Sequence, residues 1–332
     1  MEQKFFQGMG SIGRMALSTE QKIVLGLGVA IVALAAVWEA NVGLPKRMGA
    51  EITPETLKVG MHNHPLWIFY NDSDVNSRQW YDFGARSSHV INIPLLNLTY
   101  DTIAKQNGRD YRIELLGGLT GVAERLGGWD ALPEPMRNPR SQITQPEDDW
   151  IRAAILAKFG GLWVSPSVVC LKPFGKLPED TIVAFGQDET PLYGSSVPGF
   201  RCLWIPIANH PMMVEWEKRC RARLEGQTGG RQVRGDAKSD WTELSHAAKV
   251  EVRVREELGR DSRTNKKLEL EDLLAAGTGG RLPFAVPDNA IYVPIPYKDL
   301  LDRRFFGWIL RSSEEQILES DIALRYLLEK SL

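Results

Sequence analysis

Apolar positions along the chain fall into two regimes. The first is a continuous run, Ile23 to Trp38 (IVLGLGVAIVALAAVW), sixteen residues without a charge. At about 1.5 Å per residue the run reaches roughly 24 Å, short of a ~30 Å hydrocarbon core. Lys22 snorkelling at one end and Trp38 in the interface at the other would extend that reach. A cleaved signal peptide would need a 22-residue leader carrying Glu2 and Glu20, and no small-x-small site closely follows Trp38. A buried core helix is the competing account, but this run is nearly apolar on all faces and sits beside a polar tail. The pattern predicts one membrane anchor over 22–40, behind a polar tail at 1–21 and ahead of a Gly- and Pro-containing stalk at 41–60. Lys4, Arg14 and Lys22 precede the span while Lys46, Arg47 and Lys58 follow it, so the positive charges do not orient it.

From residue 61 to 332 the apolar residues come in short bursts. His64 to Asp72 (HPLWIFYND) is an apolar run bounded by Pro and Asn-Asp and predicts a buried strand. Trp80 to Phe83 and Val90 to Leu96 supply further helix and strand material, and Arg109 to Gly118 reads as a strand ending in a glycine turn. Pro146-Glu147-Asp148-Asp149 starts a helix, with acid in its first turn. Ile151, Ile155, Leu156 and Phe159 give it an inner face, and Gly160-Gly161 ends it. A strand opens with Leu162-Trp163-Val164, breaks at Pro166 and resumes before Pro173. Gly226 to Asp240 reads as a loop and the charged stretch Lys249 to Lys267 as an exposed helix, together an insertion over 226–270. Strands alternating with helices predict an α/β sandwich built on βαβ units.

Composition narrows the chemistry. The 332 residues carry a formal net charge of −2, so no global basic field argues for nucleic acid. The cluster Lys218 to Arg223 (KRCRAR) reads as a solvated helix face. Three cysteines, Cys170, Cys202 and Cys220, have neither disulfide nor zinc spacing. The five histidines show no metal spacing, and there is no Walker loop, Gly-x-Ser-x-Gly elbow or Gly-x-Gly-x-x-Gly fingerprint. Asn71-Asp72-Ser73 and Asn97-Leu98-Thr99 satisfy the glycosylation sequon.

One block is more specific. Asp149 to Phe174 reads DWIRAAILAKFGGLWVSPSVVCLKPF: Asp, two residues, Arg, an apolar helix, Gly-Gly, an apolar-aromatic pair, then a strand into Lys-Pro. This order resembles the central motif of glycosyltransferases of the capsular-polysaccharide-synthesis, α-mannosyltransferase and clostridial-toxin glucosyltransferase type. Leu66 to Asp72 is similar to that family's first strand, and Ile205 to Cys220 to its strand, His-Pro and helix. The resemblance spans about Leu66 to Cys220.

The resemblance implies a GT-A-type α/β nucleotide-binding sandwich, here expected behind one N-terminal transmembrane helix. It implies that Asp149, Arg152, Gly160 and Gly161 hold a nucleotide-diphospho-sugar donor. Where the family has the Asp-x-Asp that grips a divalent metal, this chain has Ser165-Pro166-Ser167. Magnesium and manganese prefer carboxylate oxygen, neutral hydroxyls replace it poorly, and Pro166 fixes the loop's φ. Asp188 and Glu189 are candidates to supply carboxylates instead, and Lys172 and Arg201 to supply positive charge. The expectation is a membrane-anchored, degenerate transferase without cofactor, serving a structural role beside other subunits of a membrane assembly of viral, organellar or Golgi/ER type, with a nucleotide-sugar as its small ligand. The alternative is an active glycosyltransferase with an atypical site, using Mn or Mg.

Overall fold

The computed structural model describes residues 64–71, 93–137, 143–189, 196–228, 235–277 and 281–332. The predicted strand is β1, Pro65–Tyr70, with side chains alternating between two faces as the period of a strand requires. Leu66, Ile68 and Tyr70 enter one core, Trp67 and Phe69 another. Helix α1, Pro94–Asn107, starts on a proline, whose missing N–H costs nothing at a first turn. Strand β2, Arg112–Gly117, lies parallel to β1 from Pro65↔Arg112 to Tyr70↔Gly117. Its glycine turn leads straight into α2, Gly118–Leu126.

Helix α3, Gln145–Phe159, opens with a capping box between Thr144 and Glu147. Strand β3, Gly161–Val164, follows at once and runs parallel to β1. Pro166 then breaks the strand, as expected, and β4, Val168–Cys170, pairs instead with β8, Tyr292–Pro294. Strands β5, Val183–Glu189, and β6, Ser196–Ile205, form an antiparallel pair, and β6 leads through His210-Pro211 into α4, Pro211–Thr228. Helix α5, Ala237–Ala247, and β7, Glu251–Arg253, come next. The main sheet has the order β2-β1-β3-β6-β5-β7, with β6 antiparallel to both its neighbours and β7 parallel to β5. One face is covered by α2, α3, α4 and α5, with Trp67, Trp150, Trp163, Trp216 and Trp241 fully buried between them. The other face packs on α1 and the β4–β8 pair. A third core joins α1 to the C-terminal helices α6 (Leu270–Leu274), α7 (Tyr297–Asp302), α8 (Glu314–Glu319) and α9 (Ala323–Ser331).

Two expectations change. The fold class was expected to include a transmembrane helix. Among the described residues no helix is long and apolar enough to cross a membrane. The longest, α4, has 18 residues and would reach roughly 27 Å, but it carries Glu215, Glu217, Lys218, Arg219, Arg221, Arg223 and Glu225. The anchor predicted at 22–40, with its tail and stalk, lies outside the described residues, and so does Trp80 to Phe83. The fold class is therefore corrected to a mixed α/β body, with no such helix among the described residues. Secondly, the charged stretch 249–267 contributes no α-helix, only a single 3-10 turn at Val254–Glu256. Val250 and Val252 alternate with Glu251 and Arg253, a period of two, and this short run becomes the edge strand β7. The second sequon, for its part, sits inside α1, where Asn97 Nδ2 donates to Glu314 Oε1 at 3.3 Å.

The Gly-Gly turn between α3 and β3 has a packing cause. Gly161 has φ +94°, and a Cβ there would lie 2.4 Å from the Pro65 carbonyl oxygen. Gly175 also has a positive φ, +66°, but faces open space. Gly161→Ala is expected to lose more than Gly175→Ala, which suffers only the backbone strain of ~1–3 kcal/mol. Thermal melts of the two variants compare them directly, and equal losses would remove the role assigned to close packing.

Candidate functional site

A cavity of about 620 Å³ opens where β3 ends and α3 and α5 begin. Asp149, Arg152, Ser165, Ser167 and Arg201 all line it. Five residues singled out from sequence, spread over more than fifty positions, thus meet in one place.

The first wall comes from α3. Because this helix is packed between the sheet and its neighbours, nearly every side is buried, polar positions included. Asp149 and Arg152 are each more than nine-tenths buried, and they answer the cost of burial by pairing. Arg152 Nη1 donates to Asp149 Oδ1 at 3.1 Å, and Nη2 to Asp148 Oδ2 at 2.6 Å. Gln145 Nε2 adds a bond to Asp149 Oδ1 at 3.0 Å. The guanidinium lies over the rings of Phe200 and Trp163, at 4.9 and 5.5 Å, so β6 and β3 fix it from below. Burial still holds the Asp149 carboxyl above its usual range, against the pull of Arg152.

The second wall is the Ser165-Pro166-Ser167 turn, whose main chain is held at three points. Ser165 N–H donates to Arg201 O, Thr99 Oγ1 to Pro166 O, and Ile295 N–H to Ser167 O, at 3.0, 2.7 and 2.8 Å. The two serine hydroxyls are 3.1 Å apart and hydrogen-bond to each other. These residues do not fit a divalent metal. The hydroxyls are neutral, the neighbouring Asp148 and Asp149 are engaged by Arg152, and no group of three His, Cys, Asp or Glu side chains suited to an ion exists among the described residues.

The third wall is basic. Arg201 Nη1 donates to Glu257 Oε2 at 3.2 Å, and the same oxygen accepts from Tyr292 Oη at 2.6 Å. Glu257 is seated against Gly186, at φ +79°, where a Cβ would lie 2.3 Å from that oxygen. A glycine in β5 therefore makes the room that positions Arg201. Arg223, from α4, donates through Nη2 to Asp240 Oδ2 at 2.5 Å. Its Nε and Nη1 are buried without an acceptor among the described residues. Asp236, Ala237 and Lys238 at the start of α5, with Tyr297, Lys298 and Asp299 at the start of α7, complete the lining. Burial works against ionisation of Asp236, but the Ser239 N–H and hydroxyl bonds outweigh it and hold its carboxyl below the usual range. Burial pushes the lining thiol of Cys220 up to about 12.

The other predicted residues lie elsewhere. Gly160 and Gly161 sit at the opposite end of β3, where the Gly160 carbonyl accepts from Trp67 Nε1 at 2.8 Å. Lys172 is exposed and donates to the Asp288 carbonyl. Asp188 and Glu189 lie at the end of β5, opposite Val197 and Ser196, and their side chains are outside the described residues. Sequence reasoning missed Arg223, which it took for part of a solvated face. Arg219 and Arg221 do pair at the surface with Glu215, Glu243 and Glu217. Arg223 does not share that face, since Trp216, Cys220, Arg223 and Leu224 follow helical spacing and are all buried.

No family model and no curated protein matches the sequence. Among solved structures the chain is similar to the PaToxG glycosyltransferase, at 14% identity and a TM-score of 0.35, over 69% of this chain and 80% of that one. It is likewise similar to a transferase at 14% identity and a TM-score of 0.31, over 56% of this chain and 84% of that one. Likenesses of that size describe a loose agreement in chain path and assign neither a reaction nor a site.

Proposed function

We propose that this chain is a glycosyltransferase-like protein that binds a nucleoside-diphospho-sugar without turning it over. One observation carries the reading. The acid–arginine pair Asp149–Arg152, which the sequence motif associates with donor binding, shares a cavity with Ser165 and Ser167, where neutral hydroxyls stand in place of metal-binding carboxylates. A leaving diphosphate develops negative charge that a divalent cation normally offsets by several kcal/mol. Without those ligands the cavity keeps recognition and lacks that route to catalysis. A cavity of about 620 Å³ is in the range that encloses ligands of this size.

Calorimetry with UDP-glucose and GDP-mannose tests the reading. Binding of one of them is expected, weakened about tenfold by Asp149→Asn because a charged hydrogen-bond acceptor is lost. Transfer and donor hydrolysis are expected to be undetectable. Turnover by the unmodified protein that a chelator abolishes would sink this reading.

A structural role beside other protein subunits is a second reading. It is favoured by the segment 301–308, in which Leu301, Phe305 and Trp308 are 58%, 84% and 37% exposed. Phe305→Ser is then expected to release the chain from its native assembly on sedimentation. Unchanged sedimentation would remove this second reading.

A further inference from the structure

We infer that the cavity grips the diphosphate of its ligand with basic side chains in place of a divalent cation, and that Arg223 is the principal anion-binding residue. The inference rests on the reading of the cavity as a nucleoside-diphospho-sugar site and adds which residues hold the charged group. Arg223 is nine-tenths buried, yet among the described residues a single carboxylate, Asp240, answers one of its three nitrogens. A buried donor left unmet costs about 1–3 kcal/mol, so two on one side chain are a reason to expect an acceptor supplied from outside the fold. A phosphate oxygen is the acceptor that a planar guanidinium fork suits best.

The lining itself carries a small basic excess. Five basic residues line the cavity, Arg152, Arg201, Arg223, Lys238 and Lys298, against four acidic ones, Asp148, Asp149, Asp236 and Asp299. Most of these charges are answered locally: Arg152 by Asp148 and Asp149, Arg201 by Glu257, Arg223 in part by Asp240, while Asp236 accepts from the Ser239 N–H that it caps. Helix α5 has 11 residues, and Ala237 and Lys238 in its first turn line the cavity beside the Asp236 carboxylate that caps it, which offsets part of the positive end of its dipole. The Ser165 and Ser167 hydroxyls can donate to phosphate oxygen as readily as to each other. Hydroxyls, guanidinium groups and a helix N-terminus form a surface for an oxyanion.

The test is titration calorimetry of the full chain in EDTA, with UDP-glucose, UDP and inorganic pyrophosphate as probes. Wild-type protein should bind all three without metal, with affinity falling as salt is raised. Arg223→Lys keeps the charge and loses the fork, and should weaken each probe by about tenfold or more, as the loss of a buried charge-assisted contact does. Lys298→Ala changes an exposed side chain and should weaken each by about threefold. If Arg223→Lys does not fold, Lys298→Ala and the salt dependence decide. Pyrophosphate binding that responds to these variants, with no added affinity for UDP-glucose, would uphold the inference and overturn the nucleotide-sugar reading. UDP-glucose binding indifferent to both variants would overturn the inference and leave that reading standing. Binding that appears only with Mn²⁺ overturns the inference, and no binding of any probe overturns both.

Discussion

Arg152→Met is expected to destabilise the protein by about 3–5 kcal/mol at neutral pH, the cost of leaving buried charge without its partner. The size of the effect follows from the arrangement. Arg152 answers two carboxylates at once, and Asp149 beside it is more than nine-tenths buried, with Gln145 as its only other side-chain donor among the described hydrogen bonds. Burial already holds the Asp149 carboxyl above its usual range even with the arginine present. The folded state therefore binds that proton more tightly than the unfolded chain does. Stability from this group is full below the unfolded pKa and is lost as pH rises through the folded one. Without Arg152 the folded pKa rises further. The gap between wild type and variant should thus be smallest in acid, where Asp149 is neutral, and should widen towards pH 7. Urea unfolding at a series of pH values measures this. A constant gap would mean that the loss comes from the packing of the guanidinium on Phe200 and Trp163, not from charge.

Which parts of this site the sequence discloses depends on how local their signals are. The Asp149–Ser167 stretch is legible because its order of residues resembles a known motif, and because a helix, a glycine turn and a strand that follow one another directly keep Asp149, Arg152, Ser165 and Ser167 close together. Arg201 falls into place because it pairs with the residue after β3, through Ser165 N–H to its carbonyl. The basic wall is different. Arg223, Lys238 and Lys298 come from three helices, and only the folding of α4, α5 and α7 around the strand ends brings them to the cavity. Charge density misleads at Lys218 to Arg223, because four of the six residues are basic while one of those four turns inward. It misleads again at 249–267, where two valines in alternation outweigh the surrounding charge. The membrane helix was inferred from apolar continuity alone, and nothing among the described residues supplies such an element.

Replacing the turn by Ser165→Asp, Pro166→Ala and Ser167→Asp together should convert a metal-indifferent protein into one whose stability depends on metal. The main-chain anchors of the turn, Ser165 N–H to Arg201 O, Thr99 Oγ1 to the residue 166 carbonyl and Ile295 N–H to the residue 167 carbonyl, do not need the original side chains. The hydroxyls they replace lie 3.1 Å apart, so two carboxylates would face each other across a similar gap. Two like charges about 4 Å apart at an effective dielectric of ~20 repel by roughly 4 kcal/mol, and Arg201 alongside relieves part of this. In EDTA the variant should therefore melt well below wild type. Mn²⁺ at about one hundred times its dissociation constant should return about 2.7 kcal/mol, since the ion binds only the folded pair. Wild-type protein, with neutral hydroxyls at both positions, should melt at the same temperature in Mn²⁺ and in EDTA. A wild-type melting point raised by Mn²⁺ would show that other carboxylates reach the cavity. A folded variant that ignores the metal would show that two carboxylates are not what separates this cavity from a metal site.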